Sequence, residues 1–395
     1  MRPNMLPYSK QIIDDNDIRA VVDALESKWL TTGPMVELFE VMFCEATGSA
    51  NAVAVSSGTA ALHAAMFAAG IGPDDEVIVP AITFVATANA AVYCGATPVF
   101  ADVCKDTLLI DPKDVVRKIT DQTRAIVAMD YGGQPCDYRA LREIADRHGL
   151  VLIADACHSL GATYHGNQVG TLADLNCFSL HAVKQITTGE GGVVTTHDSD
   201  LAAAMRQFRN HGIDSDHRTR SRKNTHAYQM QTPGFNYRLT DFQCALGLSQ
   251  LQKLESFTAW RQQVAGLYDE LLTSHPLIVP LTSLSDRSNA RHLYVVRCET
   301  GDAGPSRDAI FDQMRRLDIG VNVHYQPVFQ HPFYQRLCGN IDHQCPNAEA
   351  AYETILSLPV FPTLDENQVK RVVATLADIV LPSKTVQRNS GLIAG

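Results

Sequence analysis

The residue best placed to do chemistry in this 395-residue chain is a lysine between an apolar strand and a run of glycines. Lys184 sits in FSLHAVKQITTGEGG, where a strand-like stretch up to Leu180 gives way to Gly189, Gly191 and Gly192. Glycines at such a place let backbone pass close to another group. An isolated lysine is ordinarily a solvated charge. In a half-buried place, desolvation favours the neutral amine, which can attack an aldehyde or move a proton. Asp155 closes the apolar strand LVLIADAC, and the carboxyl ends of parallel strands are where such sheets bind ligands. Alone it reads equally as a cap or an ion-pair partner. Ser56, Ser57, Gly58 and Thr59 form a strand-to-helix turn whose N–H groups, hydroxyls and glycine suit a phosphate. Alone that turn is a helix N-cap. The run from Gly234 to Leu239, GFNYRL, opens a further helix and by itself is a turn and a cap.

Together these segments supply a phosphate cradle, a carboxylate at a strand end and an amine able to form an aldehyde linkage. That is the equipment for pyridoxal 5'-phosphate (PLP). The phosphate is anchored, the carboxylate keeps the ring nitrogen protonated so that the ring accepts electrons, and the lysine bonds the aldehyde.

The elements that must position these residues alternate. AVAVSS, EVIVP, TPVFADV, TRAIVAMDY and LVLIADAC read as strands, and helix patterns separate them. Apolar strands without alternation, interleaved with helices, predict an α/β fold with a mainly parallel sheet covered on both faces. Two helices precede it, over 13–28 and from Val36 to Ala46. From about Leu254 the pattern changes: a long helix from Gln250 through Leu272, a strand in HLYVVRC, a helix in SRDAIFDQMRRL, a strand in GVNVHY and a last helix in ENQVKRVVATLADIV. This predicts a large domain over 1–250, with the N-terminal segment free to pack on the smaller domain. A smaller α+β domain follows over 251–395, with a mobile tail after 382.

The composition bounds the function. Hydrophobic residues make up 45% and charged residues 19%, which suits a globular enzyme. The formal net charge of −10 argues against nucleic-acid binding. None of the ten cysteines forms a CxxC pair, so neither a metal site nor a dithiol site is expected. The first residues lack a signal-peptide shape and no apolar run is long enough to span a bilayer, so a cytoplasmic protein without a membrane partner is expected. The segment RNHGIDSDHRTRSRKNTHAY gathers Arg209, His211, Arg218, Arg220, Arg222, Lys223 and His226. It reads as a long solvated loop or as a contact for a substrate diphosphate.

The chain resembles the sugar aminotransferases of the DegT/DnrJ/StrS family, within the fold type I PLP-dependent transferases. The resemblance runs from about Leu6 to Pro382 and rests on SSGTAALHAA, PAITFVATANAA, PVFADV, IADACHSLGA, the Lys184 segment and NYRLTDFQCALGLSQL. It implies a mainly parallel large domain of seven-stranded type. It makes Lys184 the Schiff-base lysine and Asp155 the partner of the pyridine nitrogen. It puts His158 near the ring or its phenolic oxygen, and Phe84 stacked on the ring. Ser57, Gly58, Thr59 and Ser179 would hold the phosphate. Asn236 would reach the phosphate of the neighbouring subunit's site, since family members are homodimers with shared active sites. On the sugar side it implies Trp29, Thr31, His324 and Tyr325, whose plainer readings are an apolar anchor and a strand end. Arg238 is a candidate for the donor's carboxylates by position, or a structural salt bridge.

A narrower likeness is to the C4 aminotransferases of pseudaminic acid biosynthesis, carried by DYGGQPCDY, SLHAVKQITTGEGG, NARHLYVV and VNVHYQPVFQHPFY. It implies L-glutamate as donor and a UDP-linked 4-keto-6-deoxy-N-acetylhexosamine as acceptor. Lys184 would move the proton between nearby carbons, in one direction for the donor and the other for the sugar. Another nucleotide sugar or ring carbon is the alternative. A related PLP sugar dehydratase carries His where this chain has Lys184, and an idle homologue would have lost Asp155 or Lys184; both are present.

Overall fold

The computed structural model describes residues 5–381 except 223, 302, 303, 340 and 342, so the tail expected to be mobile after 382 lies outside the described residues. Helices α1 (Asp15–Glu26) and α2 (Pro34–Thr47) come first, α1 capped by the Asp14 carboxylate, which accepts from the N–H groups of Asn16 and Asp17. Five strands follow: β1 (Asn51–Val55), β2 (Glu76–Pro80), β3 (Thr97–Ala101), β4 (Thr123–Met129) and β5 (Val151–Asp155). Between them run α3 (Gly58–Ala68), α4 (Val85–Tyr93), α5 (Pro112–Lys118) and α6 (Tyr138–His148). A two-residue hairpin, β6 (Thr163–Tyr164) with β7 (Asn167–Gln168), precedes β8 (Leu175–Ser179) and β9 (Gly192–Thr196).

Seven strands form one sheet in the order β1-β9-β8-β5-β4-β2-β3. The run from β8 through β3 is parallel, as the apolar strand pattern predicts. Only β9 opposes its neighbours, β1 and β8. Sequence reading did not find β9, because GVVTT is short and follows glycines that suggest continuing loop. The Leu180 N–H donates to the Gly191 carbonyl at 2.8 Å, and the Thr188 N–H to the Leu180 carbonyl at 3.0 Å. Residues 181–190 are therefore the closed tip of a β8–β9 hairpin, and Lys184 lies in that tip.

Helix α7 (Ser199–Phe208) covers β1 and β9. The basic segment is not all loop: α8 (His217–Arg222) occupies its middle, and Lys223 lies outside the described residues. The helix expected to begin at Gln250 is divided. Gln250 belongs to α9 (Asp241–Leu251), the chain turns at Gln252 and Lys253, and α10 (Leu254–Leu272) starts afresh. At this turn the Lys253 amine is held by Asp14 at 2.6 Å and Asp17 at 2.8 Å.

Strands β10 (Ile278–Pro280), β11 (Tyr294–Cys298) and β12 (Ile355–Leu358) make a separate antiparallel sheet. Helices α10, α11 (Arg307–Arg316) and α14 (Glu366–Val380) pack around a second core containing Tyr268, Tyr294, Met314 and Val372. Leu6 joins that core and bridges to Ile319. Helices α12 (Pro332–Cys338) and α13 (Pro346–Tyr352) send Tyr334 and Ala348 back to the main core. The strand expected in GVNVHY is reduced to one bridge, Asn322 with Ser357, after which the chain leaves the sheet for a cavity. Among the described residues no helix is long and apolar enough to cross a membrane.

Candidate active site

The parallel strands β4, β5 and β8 end at one edge of the sheet, and the turn after β1 and the start of β9 lie at the same edge. A cavity of about 520 Å³ opens there. Asp155 is the last residue of β5 and Ser179 the last of β8; both line the cavity. Ser57 caps α3 by accepting from the Ala60 N–H at 3.0 Å, and the N–H groups of Gly58 and Thr59 start that helix at the cavity wall. The turn is close-packed beneath: a β-carbon on Gly192 would collide with the Ser57 carbonyl. Phe84 precedes α4 and lines the cavity with 53% of its surface exposed, its ring centroid 5.9 Å from that of Tyr325.

Lys184 keeps part of its surface open to this cavity while protein surrounds its amine. Desolvation pushes that amine below the ordinary lysine range, against the opposing effect of Cys157 and Asp155. Asp155 is buried and receives the Thr87 hydroxyl at 2.6 Å and the Cys157 N–H at 3.3 Å. Thr87 is itself 2.6 Å from the Thr83 hydroxyl, one turn earlier. The His158 Nε2 lies 3.3 Å from the Tyr325 hydroxyl. Burial, with the Lys184 charge second, drives the His158 imidazole well below its usual range. His324 bonds the Ser357 hydroxyl through Nδ1 at 2.8 Å, and burial pushes it down to about 3. Burial pushes the imidazoles of His158, His292 and His324 below their usual range, and the Lys184 charge acts in the same direction on each.

Of the residues singled out from sequence, Ser57, Gly58, Thr59, Phe84, Asp155 and His158 thus share one cavity. Ser179, Lys184, His324 and Tyr325 line it too. The others stand elsewhere in the protomer. Asn236 is exposed and bridges to Asn210. Arg238 donates to Asn210 Oδ1 at 2.8 Å and lines a separate cleft of about 650 Å³ with Thr32 and Arg209. Thr31 bridges to Thr240, and Trp29 is 37% exposed outside the Lys184 cavity. In the basic segment, Arg209 is tied to Glu40 and the Ala54 carbonyl, and Arg218 pairs with Glu37 at 3.0 Å.

Several residues at the cavity escaped the sequence reading. Tyr8 reaches it from the N-terminal segment. His292 brings Nε2 to 3.5 Å from the Lys184 amine. Arg261, on α10, donates to the carbonyls of Val183, Lys184 and Val360 and so braces the lysine-bearing tip. An arginine inside a helix pattern gives no sign of such a task.

These residues fit PLP. Gly58 leaves room against Ser179 that a β-carbon would fill, at the wall formed by the start of α3. A buried carboxylate, an uncovered aromatic face and a partly desolvated lysine stand around the remainder. The buried Nδ1 atoms of His158 and His292 have no protein partner among the described residues, so polar capacity is left over for what enters. No group of three or more His, Cys, Asp or Glu among the described residues stands together to hold a metal ion.

Residues 11–377 match the model of the DegT/DnrJ/EryC1/StrS aminotransferase family. The chain is 40% identical over 382 residues to the spore coat polysaccharide biosynthesis protein SpsC of Bacillus subtilis (strain 168), covering 96% of this chain and 98% of that protein. Its fold superposes on Spr1654 from Streptococcus pneumoniae in its PMP form with a TM-score of 0.89, at 30% identity over 95% of this chain and 99% of that one. It superposes on Helicobacter pylori PseC, an aminotransferase involved in the biosynthesis of pseudaminic acid, with a TM-score of 0.88, at 32% identity over 95% and 99% of the two chains.

Proposed function

The chain belongs to the DegT/DnrJ/EryC1/StrS aminotransferase family, and from that premise we propose that Lys184 carries its cofactor and that it transfers the amino group of L-glutamate to a nucleotide-linked keto-sugar. The fold is fold type I, the cofactor is PLP and the activity is that of a sugar aminotransferase. The observation that carries the residue assignment is that Lys184 shares one cavity with Asp155 and the α3 turn.

When bound, PLP supplies an aldehyde to bond an amine and a ring that accepts electrons from the neighbouring carbon. The chain's own residues do the rest. Lys184, partly desolvated, takes a proton from the carbon bearing the donor's amino group and returns it nearby. Asp155, oriented by Thr87, would hold the proton on the ring nitrogen by charge. Phe84 would cover one ring face and His158 would stand near the ring. Ser57, Gly58, Thr59 and Ser179 would take the phosphate. Asn236, exposed on its own protomer, completes the phosphate site of a second copy in a homodimer. His324 and Tyr325 face the sugar, while Trp29, Thr31 and Arg238 serve a substrate only from outside this cavity.

For the acceptor we favour a UDP-linked 4-keto-6-deoxy-N-acetylhexosamine aminated at C4, as in pseudaminic acid biosynthesis. The support is the likeness to PseC along nearly the whole chain. The higher identity to SpsC favours a second reading, a different nucleotide sugar destined for a surface polysaccharide. One experiment addresses both levels. Borohydride reduction of the PLP-loaded protein should fix the cofactor to the peptide containing Lys184, and Lys184→Ala should abolish turnover. The purified protein is then given glutamate with a panel of UDP- and dTDP-linked keto-sugars, and mass and NMR of the product identify the sugar and the carbon. A label on another lysine overturns the residue assignment. Amination confined to dTDP-sugars overturns the UDP reading.

A further inference from the structure

A lysine that works as acid and base must hold a proton for part of each cycle, and a poorly hydrated ammonium needs an acceptor. Among the described residues no carboxylate lies within ion-pair distance of the Lys184 amine; the polar side-chain atom that approaches it is His292 Nε2, at 3.5 Å. His292 stands just ahead of β11, 5% exposed, its ring tilted against that of His158 with centroids 4.2 Å apart. Its Nδ1 has no partner among the described residues. The side-chain polar contact it makes among them is the lysine.

We propose that His292 is a positioning residue for Lys184, its Nε2 lone pair accepting a hydrogen bond from the lysine whenever Lys184 holds the transferred proton. This rests on the reading that Lys184 is the reactive lysine. The proton arrives on the Nζ lone pair, remains bonded to Nζ while Nε2 accepts, and leaves for the receiving carbon; His292 itself gains and loses nothing. A charged donor bonds a neutral acceptor more strongly than a neutral donor does, so the contact favours the ammonium. A carboxylate in the same place would hold the proton more tightly and resist its release. An imidazole is the intermediate choice, and burial keeps it neutral, with the Lys184 charge acting in the same direction. The other groups that bear on the pair are Asp155 and Cys157, which favour the lysine's charge, and Arg261, which opposes it. His158 and His324 reinforce the neutrality of His292.

The test uses the protein loaded with pyridoxamine phosphate, in which the Lys184 amine is free. Its rate of acetylation by acetic anhydride is followed against pH, with the label mapped to Lys184 by peptide mass. In His292→Leu the midpoint should fall by about one pH unit, so that labelling on the acid side is about tenfold faster. His292→Gln, whose carbonyl oxygen is again an acceptor, should recover much of the change. Under turnover His292→Leu should lower kcat with little effect on KM for glutamate. A midpoint unchanged or raised in His292→Leu, or a Gln variant indistinguishable from it, overturns the proposal. The ¹⁵N signals of the His292 ring in the wild-type protein give a readout that needs no variant to fold. Nε2 should appear as the unprotonated nitrogen, and a protonated Nε2 overturns the proposal. Failure of the underlying reading looks different: borohydride would then leave Lys184 of the wild-type protein unlabelled.

Discussion

Gly58 and Ser179 face each other so closely that a β-carbon on Gly58 would stand 2.8 Å from the Ser179 β-carbon and 3.2 Å from its hydroxyl oxygen. The first residue of a helix and the last residue of a strand thus touch at the place proposed for the phosphate. Gly58→Ala should therefore separate stability from binding. Alanine favours the helix, but its methyl group pushes Ser179 aside, and such overpacking costs about 1–3 kcal/mol. Apo-protein titrated with PLP should show affinity lower by roughly tenfold, about 1.4 kcal/mol, with little change in thermal stability. Wild-type affinity in the variant would remove this pair from the phosphate site.

Asp155 and Thr87 make a graded pair. Asp155→Asn should leave PLP bound while lowering kcat by about a hundredfold or more, equivalent to ~2.7 kcal/mol, because an amide cannot hold the ring proton by charge. Thr87→Val leaves the carboxylate but removes the 2.6 Å hydroxyl bond that aims it. Its loss should be smaller, about tenfold. Single-turnover absorbance changes on adding glutamate measure both. A Thr87→Val variant with the wild-type rate would remove the hydroxyl from the aiming of Asp155.

Much of this site could be read from the chain because its parts obey local rules. Strands buried on both faces appear as unbroken apolar runs, and their ends fix where Asp155 lies. The Ser57–Thr59 turn follows from a strand meeting a helix. Thr87 and His292 were missed because each is a neutral polar side chain within an apolar-looking segment, and each finds its partner far away, 68 positions off for Asp155 and 108 for Lys184. Lys253, at the break between α9 and α10, pairs with Asp14 and Asp17 at the start of α1, a tertiary contact that no periodicity contains.

Asp130 offers a pH prediction. It is wholly buried and receives Ser159 Oγ at 2.6 Å, Tyr138 Oη at 2.8 Å and the Cys136 N–H at 2.8 Å. Burial pushes its carboxyl up to about 7 despite those three bonds. In the unfolded chain the same group titrates near pH 4, about 3.9. Between those values the folded protein binds the extra proton, so this contribution to stability is present at low pH and is lost as pH rises toward 7. The melting temperature should fall between pH 5 and pH 8, and Asp130→Asn should flatten that fall. An identical slope in the variant would assign the dependence to other groups.

Subunit mixing tests the assembly. If Asn236 serves a neighbour's cofactor, Lys184→Ala and Asn236→Ala protomers, each impaired, should regain activity when exchanged. In some mixed dimers one site keeps both residues and the other loses both, because a two-fold axis repeats every contact. No recovery despite demonstrated exchange would place Asn236 outside the partner's site.

The strand order has a consequence for how the chain comes to be folded. Among the described residues β1 lies at the edge of its sheet and pairs only with β9, so Asn51 meets Thr196 after 145 further residues. During synthesis the turn at Ser57 therefore has no strand to rest on until Gly192 has left the ribosome, and the cavity lacks a wall until Tyr325 has followed. Pairings this distant in the chain are slow to close. Through that interval β1 presents an unpaired apolar edge, the kind of surface on which nascent chains stick to one another. Cofactor capture is thus a late event in the life of each new molecule.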